Sequence, residues 1–286
     1  GRSVHLSVSK DFEHWTDSRD CLIFHADKRD QELGAERVQM HLRNPALRQP
    51  VINRPEEYKT DIYNLPVFAY QGLYVGIPTV FNQSGNTNSD GFSMVELAVS
   101  RDLINWERVG NREKFIPLSP VEEEKNYDTA QLLAANQPIV TDTEIWFYST
   151  GLKWRAHPTY LKTGKNEAIP DSGAICLAKL RLDGFVSLDA GEMEGYVVTK
   201  PLVLEGKTLH VNVEAPDGEL RVEVLDAEGK KILSGYSLKD SVPVKGDGLD
   251  MELKWKTQSN LSALAGKSVR FRFALRKASL YAFRVK

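Results

Sequence analysis

The stretches VHLSVSKDFEHW (4–15) and VELAVSRDLINW (95–106) share the pattern V-x-L-x-V-S-[KR]-D-x-x-x-W over twelve positions. A motif that returns along a chain marks a fold assembled from repeated units. Each copy alternates apolar and polar residues, as a strand exposed on one face requires. Each then meets Ser and Asp, whose side chains bond nearby backbone and fix a reversal. The element therefore reads as strand, tight turn, strand, with Trp15 and Trp106 folding back onto the sheet, which is a structural role. A third, degraded copy, ICLAKLRLDGFVSL (175–188), keeps the alternation and a turn aspartate but has no tryptophan.

Further hairpins are expected between the copies. PVFAYQGLYVGIPTVF (66–81) turns at Gln71-Gly72, and QPIVTDTEIWFYS (137–149) turns at Thr141-Asp142. Each precedes a strand of the repeat, so four antiparallel strands per unit are expected, the arrangement of a propeller blade. One blade runs from about 60 to 110 and the next from about 127 to 190, while residues 1–16 supply the outer hairpin of an earlier blade. The protein is accordingly expected to continue beyond residue 1. ADKRDQELGAERVQMHLRNP (26–45) interrupts the β pattern. Its helical spacing at Leu33, Val38 and Leu42 and its stop at Pro45 predict a surface helix, with its His and carboxylates solvated. NQSGNTNSDGF (82–92) and residues 152–172 read as polar loops, where ligands bind on rigid scaffolds.

The texture changes from about 193. Alternating strands are expected at 208–215, 219–226, 250–256, 268–275 and 279–285. Turns are expected at Pro216-Asp217-Gly218, Ala227-Glu228-Gly229 and Lys245-Gly246-Asp247-Gly248. Short strands at regular spacing predict a sandwich. The expected organisation is all-β: a partial β-propeller over 1–192 and a β-sandwich over 193–286. In the sandwich, Trp255 and Tyr281 are read first as packing residues, with a sugar-stacking role as the alternative.

Composition narrows the function. The chain has 286 residues, 37 basic and 39 acidic side chains and a formal charge of −2, so no electrostatic attraction to nucleic acid is expected. No run of about 18 apolar residues predicts membrane insertion. Cys21 and Cys176 lie far apart without metal-ligand spacing and read as two half-buried thiols. The chain has no phosphate-binding loop, dinucleotide fingerprint, nucleophile elbow or HExxH motif, and no cofactor or metal is expected.

The ordered series SKDFEHW (9–15), TDIYNLPVFAYQGLYVGI (60–77), VELAVSRDLINWERV (95–109), EIWFYSTG (144–151) and GAICLAKLRLDGFVSLDAGEMEG (173–195) resembles five-bladed-propeller glycosidases similar to glycoside hydrolase families 32 and 43. VTKPLVLEGKTLHVNVEA (198–215) resembles the way such proteins enter a C-terminal sandwich. The resemblance implies an axial pocket, a carbohydrate partner and an exported, secreted or periplasmic protein. It also implies that part of the carboxylate set lies on blades absent from this sequence. An open ring would be covered by further blades or by a homo-oligomer.

Glycoside hydrolysis needs two carboxyl groups flanking one bond. Carboxylates at the start of each blade's inner strand are the candidates: Asp61 in Thr60-Asp61-Ile62-Tyr63-Asn64, and Asp128 in Tyr127-Asp128-Thr129-Ala130. The alternative for each is a turn cap at the beginning of a strand. Tyr63, Asn64 and Tyr127 stand beside them as candidates for a sugar face and its hydroxyls. Glu96, in an otherwise apolar strand, is expected to face solvent, with a pocket acid as the alternative. Trp154, Arg155 and His157 read equally as a sugar subsite or as plain loop. Three readings are carried forward: a glycoside hydrolase or its C-terminal portion, a non-catalytic carbohydrate-binding or scaffolding module, or a unit that completes its propeller by oligomerisation.

Overall fold

The computed structural model describes residues 1–47, 51–87, 90–121, 125–154 and 171–286. The chain forms two compact units, residues 1–139 with 146–179 and residues 140–145 with 180–286, so residues 180–192 belong to the second. Among the described residues the molecule is all-β apart from one α-helix and short 3₁₀ turns: a partial β-propeller followed by a β-sandwich.

The first unit opens with β1 (Ser3–His5) paired antiparallel to β2 (Leu22–His25), followed by α1 (Lys28–Leu42). The blade begins at β3 (Lys59–Asn64) and continues through β4 (Val67–Tyr70), β5 (Leu73–Gly76), β6 (Thr79–Gln83), β7 (Gly91–Val95), β8 (Ala98–Ser100) and β9 (Trp106–Arg108). These seven segments are four antiparallel strands, three of them bent. Pro66 and Pro78 have no N–H to give a ladder, and strands β3–β4, β5–β6 and β7–β8 all break at that level. Two bonds cross the bend, Ile77 N–H to Pro66 C=O (3.0 Å) and Glu96 N–H to Pro78 C=O (3.0 Å). The inner halves pair β3–β6–β7 and the outer halves pair β4–β5–β8–β9.

The next strands are β10 (Gln131–Ala134), β11 (Ile139–Val140), β12 (Glu144–Leu152) and β13 (Gly173–Arg181), with β12 between β10 and β13. The hairpin about Thr141-Asp142 forms as the sequence predicts, with Thr141 N–H bonded to Glu144 C=O (2.8 Å). β10 also pairs parallel with β7 at Gln131 and Ser93, so one sheet runs continuously from β3 to β12.

The repeated motif folds identically in both copies. Ser9 Oγ accepts the N–H groups of Asp11 (3.3 Å) and Phe12 (2.8 Å), and Asp11 Oδ1 accepts those of Glu13 (2.9 Å) and His14 (2.8 Å). Ser100 and Asp102 make the same four bonds at 3.2, 2.9, 2.9 and 2.7 Å. Phe12 and Leu103 take the same left-handed backbone, and both indoles donate back to those residues' carbonyls. In the third copy Asp183 bonds Arg284 (2.6 Å) instead.

Helix α1 starts with a reciprocal capping box between Asp27 and Asp30. It lies against the sheet, with Val38 in a core of Phe24, Ile62, Val80, Phe92 and Met94. Gly34 permits the close approach, because a β-carbon there would fall on the Thr60 hydroxyl. β3 ends the sheet, and the Gln31 side-chain amide occupies its free edge: Nε2 donates to Thr60 C=O and Oε1 accepts Thr60 N–H, both at 2.8 Å. The expectation of solvated acids and histidine on this helix is corrected at two positions. Asp30 is fully buried, and His41 stacks on Phe92 with centroids 4.3 Å apart.

The second unit contains β14 (Leu188–Ala190), β15 (Gly195–Val198), β16 (Leu202–Val203), β17 (Leu209–Asp226), β18 (Val244–Leu253), β19 (Ser268–Arg276) and β20 (Ala278–Val285). The long β17 is the centre of one seven-stranded sheet: its first half pairs with β18 and β20, and its second half with β19. Two expected turns are corrected. Pro216–Gly218 and Lys245–Gly248 do not end strands but bend β17 and β18 together, with Ala215 opposite Gly246 and Leu220 opposite Val244. The core gathers Leu209, Val211, Val222, Val224, Phe271 and Phe273 among others. Trp255 packs edge-on to Tyr236 (4.9 Å) and donates to Val222 C=O (3.0 Å), a core role.

Candidate functional site

Asp61 is the third residue of β3, opposite Phe81. It is almost fully buried, and among the described residues its charged neighbours are Arg2 (3.7 Å) and Lys59 (3.9 Å). Its carboxylate thus faces cations from inside a strand. The Arg2 guanidinium lies 5.0 Å from the Tyr63 ring centroid and 5.3 Å from that of Phe81, near enough for cation–π attraction. Arg2 Nη1 and Asn64 Oδ1 are buried without a hydrogen-bond partner among the described residues. Tyr63 is partly exposed.

Asp128 precedes β10 and is half-buried. Gly151 leaves the space it occupies, since a β-carbon there would lie 2.9 Å from Asp128 Cβ and 2.7 Å from Cys176 Sγ. Burial, then the Asp128 charge, raise the Cys176 thiol above its ordinary pKa. Beside Asp128, Tyr127 Oη donates to Asp171 Oδ1. Lys153 Nζ lies 3.0 Å from Asp171 Oδ2 and 4.2 Å from the Tyr127 ring centroid. The Trp154 ring is 5.9 Å from the same ammonium. The hydrogen bond to Asp171 raises the Tyr127 phenol, and bonds from Tyr127 and then Lys153 lower the Asp171 carboxyl. Two aromatic rings and the Asp171 carboxylate are therefore gathered around one buried lysine. Arg155 and His157 lie outside the described residues.

Glu96 is neither solvent-facing nor open to a ligand among the described residues. Its side chain has no exposed surface and pairs with Arg37 (2.8 Å) and with Arg108. Arg108 also reaches Asp30 (3.1 Å), and Arg112 reaches Asp30 (2.9 Å) and Asp27 (2.6 Å). This network joins the helix to the blade. Alternation along β7–β8 suggested an outward acid, but the bend before Leu97 turns Glu96 inward beneath the helix.

Asp61, Phe81, Ser93 and Gln131 form one row across the sheet. At roughly 4.8 Å per strand, Asp61 and Gln131 stand about 14 Å apart measured along it. Asp61 with Tyr63 and Asn64, and Asp128 with Tyr127 and Trp154, thus form two clusters. Sequence reasoning missed Arg2, Lys59, Lys153 and Asp171. Lys153 adjoins Trp154 in sequence, but nothing in the sequence pairs it with Asp171. Among the described residues no group of three or more His, Cys, Asp or Glu side chains is placed to hold a metal ion.

No family model and no curated protein matches the chain. Among solved structures, similarity extends to the complex of BT0996 with RGII, at 18% identity and a TM-score of 0.28 over 51% of this protein and 40% of that one. It extends also to a glycoside hydrolase family 43 arabinoxylan arabinofuranohydrolase from Bacillus subtilis, at 10% identity and a TM-score of 0.25 over 78% and 53%. A third is the GH32 beta-fructofuranosidase of Bombyx mori, at 11% identity and a TM-score of 0.20 over 85% and 69%. The aligned region thus spans well under two thirds of the first two of these structures.

Proposed function

We propose that the protein acts on carbohydrate as a glycosidase-like protein, with Asp61 and Asp128 as its candidate carboxylates. The observation that carries this reading is the surroundings of Asp61. A buried carboxylate, a partly exposed tyrosine ring and a spare donor on Arg2 lie close to one another, and Asn64 of the same strand has a spare acceptor. A sugar ring presents an apolar face and hydroxyls that both donate and accept, the complement of that set. The Tyr127, Trp154, Lys153 and Asp171 cluster supplies a second surface of the same chemistry. One carboxyl would act as acid, and the other would activate water or attack carbon.

The experiment is hydrolysis of a panel of chromogenic glycosides and of arabinoxylan, with sugar binding measured in parallel, for the parent and for Asp61→Asn and Asp128→Asn. Each substitution is expected to lower kcat at least ~100-fold, within the range of general acid–base catalysis, and to leave binding within about threefold. Unchanged turnover in both variants would end the catalytic assignment.

A binding-only module is favoured by Glu96, the third candidate acid, which is fully buried and paired with Arg37 and Arg108 and so out of a ligand's reach. That reading expects binding without turnover, insensitive to Asp61→Asn and weakened about tenfold by Tyr63→Ala. A polysaccharide ligand would place either protein outside the cytoplasm.

A further inference from the structure

One face of the second unit's sheet turns away from its core. Strands β15, β19 and β17 lie side by side there. Tyr196 pairs with Ala274 and Val198 with Arg272, and the same rungs continue to Arg221 and Glu223. Side chains alternate between the two faces of a strand. Val197, Phe273 and Val222 belong to the core, so Tyr196, Val198, Arg272 and Glu223 stand on the opposite face. Tyr196 is 56% exposed and Val198 48%. The Arg272 guanidinium lies 5.8 Å from the Tyr196 ring centroid. It is anchored by Glu223, which is buried and also accepts the Leu238 N–H (3.3 Å). The Tyr196 phenol donates to Glu194, just before the strand. An open aromatic ring is thus held at its hydroxyl end by a carboxylate and flanked by a fixed guanidinium. A ligand meets these groups already ordered, which lowers the cost of binding.

We infer that Tyr196, Glu194 and Arg272 form a binding site for a neutral sugar residue of a polysaccharide chain. The C–H face of a pyranose covers the tyrosine ring. The Glu194 carboxylate accepts from one sugar hydroxyl, and the Arg272 guanidinium donates to another. Glu223 already neutralises Arg272, and Glu194 adds a negative charge beside the ring, which favours a neutral sugar over a uronate. An added peptide strand is disfavoured at this place. β15 is followed by Lys200 and Pro201, a charge and a residue without an N–H, two devices that blunt a sheet edge. The choice of a sugar as ligand rests on the carbohydrate reading above. The site itself uses none of the residues that carry that reading, and no chemistry is assigned to it.

The probes are hexasaccharides of glucose, mannose, galactose and xylose, with a hexagalacturonate as the anionic control. Each is titrated into the full-length protein with isotope-labelled tyrosines, following the Tyr196 ring resonances. At least one neutral probe is expected to shift them saturably at millimolar concentration, and the galacturonate to leave them in place. Tyr196→Ala should weaken binding of that probe roughly tenfold, while Tyr196→Phe, which keeps the stacking face, should stay within about threefold. The double variant Asp61→Asn, Asp128→Asn should shift the Tyr196 resonances as the parent does, so a failure of the glycosidase reading would leave this site standing. No shift with any neutral probe, equal affinity of Tyr196→Ala and parent, or a stronger response to galacturonate would each overturn the proposal. So would a shift that appears without probe and grows with protein concentration, which would assign the face to a second copy of the protein.

Discussion

Glu96 and Asp30 are carboxylates with no exposed surface, and a buried charge is tolerated only when paired and hydrogen-bonded. Arg37, Arg108 and Arg112 do this, with the helix and the blade each contributing both signs. Glu96→Gln leaves two buried guanidinium groups facing a neutral amide and is expected to cost about 3 kcal/mol. Urea unfolding measures it, and a loss below about 0.5 kcal/mol would mean the network adds little. His41 gives a pH signature. Burial, and then the Lys114 charge, hold its imidazole down to about 4, against 6.5 ordinarily. Between those values the unfolded chain takes up a proton that the folded chain refuses, so stability falls as pH drops from 6.5 to about 4. The loss is on the order of 2–3 kcal/mol, complete near pH 4 and absent above 7. His41→Leu should remove this component from a plot of Tm against pH, and superimposable plots would refute it. Asp27, which Arg112 holds below the usual carboxylate range, loses its contribution only at lower pH. At this scale the sequence was a poor guide. Asp61 and Asp128 stand out because each sits at a blade's inner strand, but Glu96 looked outward because alternation alone cannot register a bend.

The hairpins were the most legible elements, because their determinants are local. Ser and Asp side chains bond amides two and three residues away, and that spacing is written in the sequence. Asp102 accepts two backbone N–H groups and the Asn105 amide at a hairpin packed within its blade. Asp102→Ala should cost about 1–2 kcal/mol of global stability. Asp11→Ala removes the same backbone bonds from an exposed hairpin and should change only local exchange at residues 11–15. Equal global effects would show that the two copies are equally coupled to the core. Less legible were elements decided by distant partners. Pro66 and Pro78 break strands, but the bonds that carry the sheet past them need the neighbouring strand. Pro216–Gly218 and Lys245–Gly248 have turn chemistry, and the same residues that reverse a chain can bend two paired strands at one level. Only the partner distinguishes the outcomes.

On the scale of the whole molecule, the two units have separate cores, and that of the second is built entirely from residues 190–285. A fragment spanning 180–286 retains every residue of that core and the Arg181–Asn212 bond (3.0 Å). It is expected to unfold cooperatively by calorimetry when produced alone, whereas a broad transition without a defined midpoint would show that it needs residues 1–179. The all-β character of the protein was readable from the repeat and from the alternating strand texture. The two clusters around Asp61 and Asp128 were only half readable, because Arg2, Lys153 and Asp171 reach them through folding rather than through spacing. Gln31 has one more consequence. Its amide offers the last strand of the sheet the donor and acceptor that another molecule's backbone would offer, from a helix that cannot extend the ladder. That pairing leaves Thr60 with neither donor nor acceptor for an added strand, one of the devices by which sheet edges are kept from pairing with other molecules.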